Sequence, residues 1–173
     1  MNDRAEAKTA AIRVIREAFD GVRREGGISL HQAQVLDDYG SEEQLKKAAA
    51  LDRDKKWSDV PSKDIEGHTS TLSFVDPIGF RYYIAAYMVW SLENYEASDS
   101  FSVDHTIYSL NPSTKADIRA HQMERFSLLT QAQAHAISSF LRYMAAHSDG
   151  RADDGAANEA LYDYWERRET ADS

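Results

Sequence analysis

Apolar positions recur at helical spacing through most of the chain. Ile12, Ile15, Phe19 and Val22 fall at steps of three, four and three, and Arg13, Arg16, Glu17 and Asp20 occupy the opposite face, the pattern of an amphipathic helix over residues 3–22. Gly21 and the pair Gly26-Gly27 stop it, because glycine enters left-handed turn geometry without a steric cost. Three later helices open with the same grammar: Ser29-Leu30-His31-Gln32, Ser41-Glu42-Glu43-Gln44 and Thr130-Gln131-Ala132-Gln133. Each sets a hydroxyl three residues before a glutamine, a capping box that satisfies two orphan amides. The last of the three leads into Ile137, Phe140, Leu141 and Met144 at i, i+3, i+4 and i+7, the clearest helical stripe in the chain.

Residues 71–84 break the pattern. Thr71-Leu72-Ser73-Phe74-Val75 and Phe80-Arg81-Tyr82-Tyr83-Ile84 are rich in β-branched and aromatic residues, and Asp76-Pro77-Ile78-Gly79 between them has turn chemistry. The pattern predicts a small β hairpin, which must lie against helices to be stable. Ile84–Tyr95 then reads as a helix that is apolar almost all round and hence buried. Short helices are expected over 62–67, 103–110 and 114–124, and Arg125–Leu129 reads as briefly extended. Residues 148–156 form a polar linker, and Ala157, Leu161, Tyr164 and Trp165 mark a final amphipathic helix over 157–169. The fold class is therefore mainly α, a helical domain over 1–147 with a hairpin near 71–84, then the linker and a separately packed or mobile helix. The alternative is α+β with a small antiparallel sheet, if Arg125–Leu129 pairs with the hairpin.

Composition narrows the function. The 173 residues include no cysteine, which excludes disulfide scaffolds, thiolate metal sites and cysteine nucleophiles. The longest apolar run, Tyr82–Trp90, has nine residues, about half of a membrane span. The first residues, Met1-Asn2-Asp3-Arg4-Ala5-Glu6, lack the apolar stretch of a signal peptide. A cytoplasmic protein with no membrane partner is the expectation. The formal charge is −9, which argues against nucleic acid as a partner. Residues 1–68 hold 12 basic and 14 acidic side chains, whereas 69–173 hold 8 and 15. No Lys or Arg occurs between Arg81 and Lys115, where Glu93, Glu96, Asp99 and Asp104 fall. These four, with Tyr95 and Tyr108 as apolar anchors, are the candidate recognition patch for a basic protein. Arg81, set among aromatic residues, is a further candidate binding residue, with Asp76 as its expected buttressing partner.

Catalytic and metal chemistry has no recognisable spacing. His135 and His147 lie twelve residues apart, more than three helical turns and too far to share an ion. The chain contains no His-Glu-x-x-His, EF-hand loop or Gly-x-Ser-x-Gly. Asp54-Lys55-Lys56 offers an Asp-x-Lys fragment without a strand to carry it. No metal, no cofactor and no catalytic residue is assigned, and a non-enzymatic protein-binding module of adaptor or immunity type is expected. The alternative is a small hydrolase or other enzyme with an Asp/His/Tyr site, which needs a pocket where His31, Asp104 or His105 converge.

The block Leu72-Ser73-Phe74-Val75-Asp76-Pro77-x-Gly79-Phe80-Arg81-Tyr82-Tyr83 resembles the core of a family of uncharacterised bacterial proteins, a domain of unknown function. Asp37-Asp38-Tyr39-Gly40-Ser41, Ser102-Val103-Asp104 and Phe140-Leu141-Arg142-Tyr143-Met144 fit the same family, so the resemblance covers roughly residues 10–147. Ala85 departs from it, standing where such proteins commonly have proline. The resemblance implies no substrate and no catalytic residue.

Overall fold

The computed structural model describes residues 3–170, and every regular element among them is helical. In chain order these are α1 (Asp3–Ala18), α2 (Leu30–Asp37), α3 (Glu42–Ala49), α4 (Ser62–Gly67), α5 (Pro77–Asn94), α6 (Ser102–Leu110), α7 (Ala116–Phe126), α8 (Gln131–His147), α9 (Asp154–Ala160) and α10 (Glu166–Thr170). Single 3₁₀ turns occupy Trp57–Asp59 and Thr71–Ser73, and a π turn, Leu161–Trp165, joins α9 to α10.

The hub is α5. Thirteen of its 18 residues are buried, and the surrounding helices α1, α4, α6, α7 and α8 all pack on it. The expected β hairpin at 71–84 is not formed. Thr71–Ser73 is a 3₁₀ turn, and the Asp-Pro pair starts a helix rather than turning a hairpin. Asp76 is the N-cap, its Oδ1 accepting the Gly79 amide at 2.9 Å, and Pro77 takes the first helical position, where its missing N–H and fixed φ cost nothing. Phe80, Tyr82, Tyr83 and Ile84 are all fully buried, so these aromatics face the core on every side of a helix rather than alternating across a sheet. The helix consequently begins at Pro77, seven residues before the Ile84 start that the sequence suggested.

Asp76 also ties the hub to the loop after α1. Its Oδ1 accepts the Ile28 amide at 2.9 Å. Backbones approach closely there: a Cβ on Gly79 would sit 2.5 Å from the Ile28 carbonyl oxygen, and one on Gly27 would sit 2.7 Å from the Gly79 nitrogen. Only glycine fits at both positions.

Two sequence-read boxes form in both halves. Ser41 Oγ accepts the Gln44 amide while Gln44 Oε1 accepts the Ser41 amide. Thr130 and Gln133 do the same at the start of α8. Gln133 is buried, and it also accepts from Arg81 Nε at 3.1 Å and donates to the Ala18 carbonyl at 3.2 Å. One side chain therefore joins α1, α5 and α8. Arg81 is accordingly held by Gln133, while the expected partner Asp76 serves the Ile28 and Gly79 amides. Arg125, expected in an extended stretch, lies in the last turn of α7.

The final helix does not stand apart. Ala157, Ala160, Leu161 and Trp165 belong to the same core cluster as Phe80 and Phe140. Trp165 is fully buried, packs tilted against Phe126 at 4.7 Å between ring centroids and donates from Nε1 to the Leu110 carbonyl at 2.7 Å. Arg168 donates to the Phe126 and Leu129 carbonyls, closing the end of α7. The linker is likewise structured: Asp153 caps α9 by accepting the Ala156 amide at 2.9 Å.

Candidate functional site

Three places hold polar chemistry: a buried cluster beside α5, the surface shared by α6 and α9, and a cavity between α6 and α7. The buried cluster begins with Tyr82 and Tyr83, neighbours on the side of α5 facing the loop 51–61. Tyr82 Oη donates to Asp54 Oδ2 at 2.7 Å, and Tyr83 Oη accepts from Arg24 Nη1 at 2.5 Å and from the Leu30 amide at 3.0 Å. Arg24 Nη2 donates to the Asp52 carbonyl at 2.9 Å, and the Asp52 carboxylate takes both the His31 amide and His31 Nδ1. The Asp52 and Asp54 side chains are 5% and 3% exposed. Burial, reinforced for Tyr82 by the bond to Asp54, pushes both phenols well above the ordinary tyrosine range. Every member has a partner, so the cluster locks the loop onto the hub.

An aspartate on Nδ1 is the arrangement that orients a histidine base. Among the described residues, however, His31 meets a second imidazole, His68, with ring centroids 4.7 Å apart, rather than a hydroxyl nucleophile. His105 lies elsewhere, on the α6–α7 cavity, and Asp104 turns toward the linker, where its Oδ1 accepts the Asp153 amide at 2.9 Å. The three residues an enzymatic site needed together are thus distributed over three places. No group of three or more His, Asp or Glu among the described residues is placed to hold a metal ion, and no helix among them is long and apolar enough to cross a membrane.

The acidic residues expected to form one patch also divide. Glu93 faces Arg16 at 3.7 Å, and Glu96 faces Arg4 at 3.2 Å and Lys8 at 3.1 Å. The bond from Lys8 and the nearby charges of Lys8 and Arg4 hold the Glu96 carboxyl below the ordinary glutamate range. These cations all come from α1. Tyr95 is buried, its hydroxyl accepting from Arg4 and lying 3.0 Å from Tyr143 Oη; it is closed to a partner. Asp99, Asp104 and Tyr108 remain with α6, and there the structure adds residues that the sequence did not associate with them. Tyr108 Oη donates to Asp153 Oδ2 at 3.0 Å, and Asn111 Nδ2 donates to Glu159 Oε2 at 3.0 Å. The final helix therefore runs beside α6. Neither α6 nor residues 152–165 contain a Lys or Arg, and the latter contribute Asp153, Asp154, Glu159 and Asp163. Tyr108 and Tyr162 on these elements are 46% and 58% exposed, and Phe101, just before α6, is 69% exposed.

On its other side α6 faces α7 across a cavity of about 580 Å³, whose lining includes Ser73, His105, Tyr108, Ile118, His121 and Arg125. Its size is that of a small-molecule site. Burial pushes the Arg125 guanidinium down, with only the charge of neighbouring Glu124 opposing it.

No curated protein and no solved structure matches the chain. A family model does match, and it spans residues 7–169, taking in the final helix with the rest. The chain therefore belongs to the family of unknown function DUF6714.

Proposed function

We propose that this protein is a non-enzymatic binding module that docks a basic protein segment on the face formed by α6 and α9. The observation that carries the reading is the pairing of two elements without Lys or Arg, bridged by Tyr108–Asp153 and Asn111–Glu159. Acids thereby accumulate from two distant stretches of chain, and exposed Phe101, Tyr108 and Tyr162 stand among them. Aromatic side chains supply the buried anchors of an interface, and opposite charges steer encounter. Glu93 and Glu96 are left out of this surface, because α1 already neutralises them.

The test compares wild type with a triple reversal, Asp99→Lys, Asp154→Lys and Asp163→Lys, all at exposed positions. Proteins captured from native lysate by the wild type alone are then purified and their association kinetics measured against salt. A basic partner whose association rate falls steeply between 0.05 and 0.5 M salt, as the screening length shortens to a few ångströms, supports the reading. Equal capture by the two proteins, or a rate insensitive to salt, overturns it.

A further inference from the structure

The α6–α7 cavity has a character that the acidic docking face does not explain. The molecule carries a formal charge of −9, yet the cavity lining holds Arg125, His105 and His121 and no aspartate or glutamate. Four acids touch lining residues without lining the cavity themselves. Asp153 accepts from Tyr108 and Glu159 from Asn111, each at 3.0 Å. Asp37 accepts the Ser70 hydroxyl at 2.8 Å, and exposed Glu124 lies 3.8 Å from His121 Nδ1. Arg125 is half-buried, and its one hydrogen bond among the described residues runs from Nη2 to the Ser73 carbonyl. An arginine cannot shed its charge, and a half-buried cation without a carboxylate is costly. The bond to Ser73 takes one of the two Nη2 hydrogens and leaves one two-donor edge, the other Nη2 hydrogen beside that of Nη1 or of Nε, a planar fork suited to a carboxylate or phosphate.

His105 supplies the second contact. Its Nδ1 lies 3.0 Å from the Thr69 carbonyl, and a carbonyl can only accept, so Nδ1 carries the proton. In the neutral imidazole that tautomer leaves Nε2 as an acceptor, suited to a hydroxyl rather than to the anion itself. Leu72, Tyr108 and Ile118 provide apolar wall.

We propose that this cavity binds a small hydroxyl-bearing organic anion, its anionic group on Arg125 and a hydroxyl on His105 Nε2. A sugar phosphate and a hydroxycarboxylate share this chemistry. The site shares Tyr108 and Asn111 with the docking face, but it needs neither the exposed acids nor a protein partner.

Isothermal titration of the full chain with glucose 6-phosphate, citrate, inorganic phosphate and glucose tests it. The first two probes separate a phosphate from a carboxylate source, and either one binding at least tenfold more tightly than both phosphate and glucose is the expected result. Arg125→Gln should weaken that binding at least tenfold. His105→Leu should erase the preference for the organic anion over inorganic phosphate. If Arg125→Gln does not fold, Arg125→Lys takes its place; it keeps the charge, loses the fork, and should weaken binding at least threefold. No binding of either organic anion to wild type, or undiminished binding in the folded Arg125 variant, overturns the assignment.

Discussion

Replacing Trp165 with alanine tests whether the final helix completes the core. The indole is fully buried. It packs on Phe126 and on Tyr164, at 4.7 and 5.0 Å between ring centroids, and the Arg168 guanidinium lies 5.6 Å from its centroid. Truncating a buried aromatic to alanine costs about 3–5 kcal/mol in lost transfer energy and cavity formation. The Leu110 carbonyl also loses the Nε1 donor, and leaving a buried acceptor unpaired costs about 1–3 kcal/mol. The sum, about 4–8 kcal/mol, is a large part of the roughly 5–15 kcal/mol that holds a domain folded. Trp165→Phe separates the two contributions: it retains most of the apolar volume and loses the donor, so it should cost about 1–3 kcal/mol. Urea titrations followed by far- and near-UV circular dichroism measure both. A cost below about 1 kcal/mol for Trp165→Ala, the size of a surface substitution, would refute the reasoning and return the final helix to the role of an appendage.

Three further outcomes are expected. Phe140→Ala, at a fully buried position on the apolar stripe of α8, should cost about 3–5 kcal/mol in a denaturant melt, and less than 1 kcal/mol would mean that the face is not core. Gly79→Ala should cost about 2–4 kcal/mol, because its Cβ meets the Ile28 carbonyl oxygen and the capping oxygen of Asp76, adding overpacking to a disturbed cap; a near-neutral melt would show that the two segments can separate. Tyr82, Tyr83 and Tyr87 are raised above the ordinary tyrosine range chiefly by burial, and Tyr95 is pushed up to about 12 by burial and its bond to Tyr143. A raised folded pKa favours the protonated phenol in the fold, so this stability is complete below about pH 10 and is lost as pH rises beyond it. Phenolate absorbance should therefore reach all nine tyrosines only as near-UV dichroism disappears, and full ionisation with intact dichroism would contradict it.

What could be read from the chain was local. The boxes at Ser41–Gln44 and Thr130–Gln133 form as the sequence states them, since each is complete within four residues. The hairpin at 71–84 failed for a definite reason. Asp-Pro-x-Gly is the grammar of a turn and also that of an N-cap followed by proline at the first helical position. Periodicity would normally decide between them, but α5 is buried almost all round and so has no polar face to count. The neighbours of the acidic residues were hidden for another reason. Glu96 has no cation within its own segment, and its partners Arg4 and Lys8 stand about ninety residues earlier. No reading of residues 82–114 alone reveals them. Conversely Asp153 and Glu159 join α6 only through tertiary contact. A polar linker reads as a boundary before the final helix, yet Ala157 and Ala160 are small enough for α9 to lie close against α8.

The placement of the arginines bears on where the negative excess lies on the surface. Arg168 donates to the Phe126 and Leu129 carbonyls beyond the end of α7, and Arg4 donates to the His147 carbonyl at the end of α8. Arg151 reaches the Glu96 carbonyl just after α5, Arg125 that of Ser73 at the end of a 3₁₀ turn, and Arg24 that of Asp52 in the loop after α3. The last carbonyls of a helix lack intrahelical partners and sit at its negative end. A guanidinium meets both needs at once, and its several donors let it bind a second group as well. Few of the acids are used in the reciprocal way; Asp76 and Asp153 cap helix N-termini, whereas Ser and Thr cap α3 and α8. Arg4 also faces Glu96 and Asp149, and Arg24 faces Asp54, so these cations balance carboxylates close to the turns they hold. The imbalance is greatest where two helices without arginine or lysine pack side by side, at α6 and α9, and it is reversed where Arg125 closes a turn at the edge of a cavity. Both candidate sites follow from the same expenditure of positive charge on helix ends.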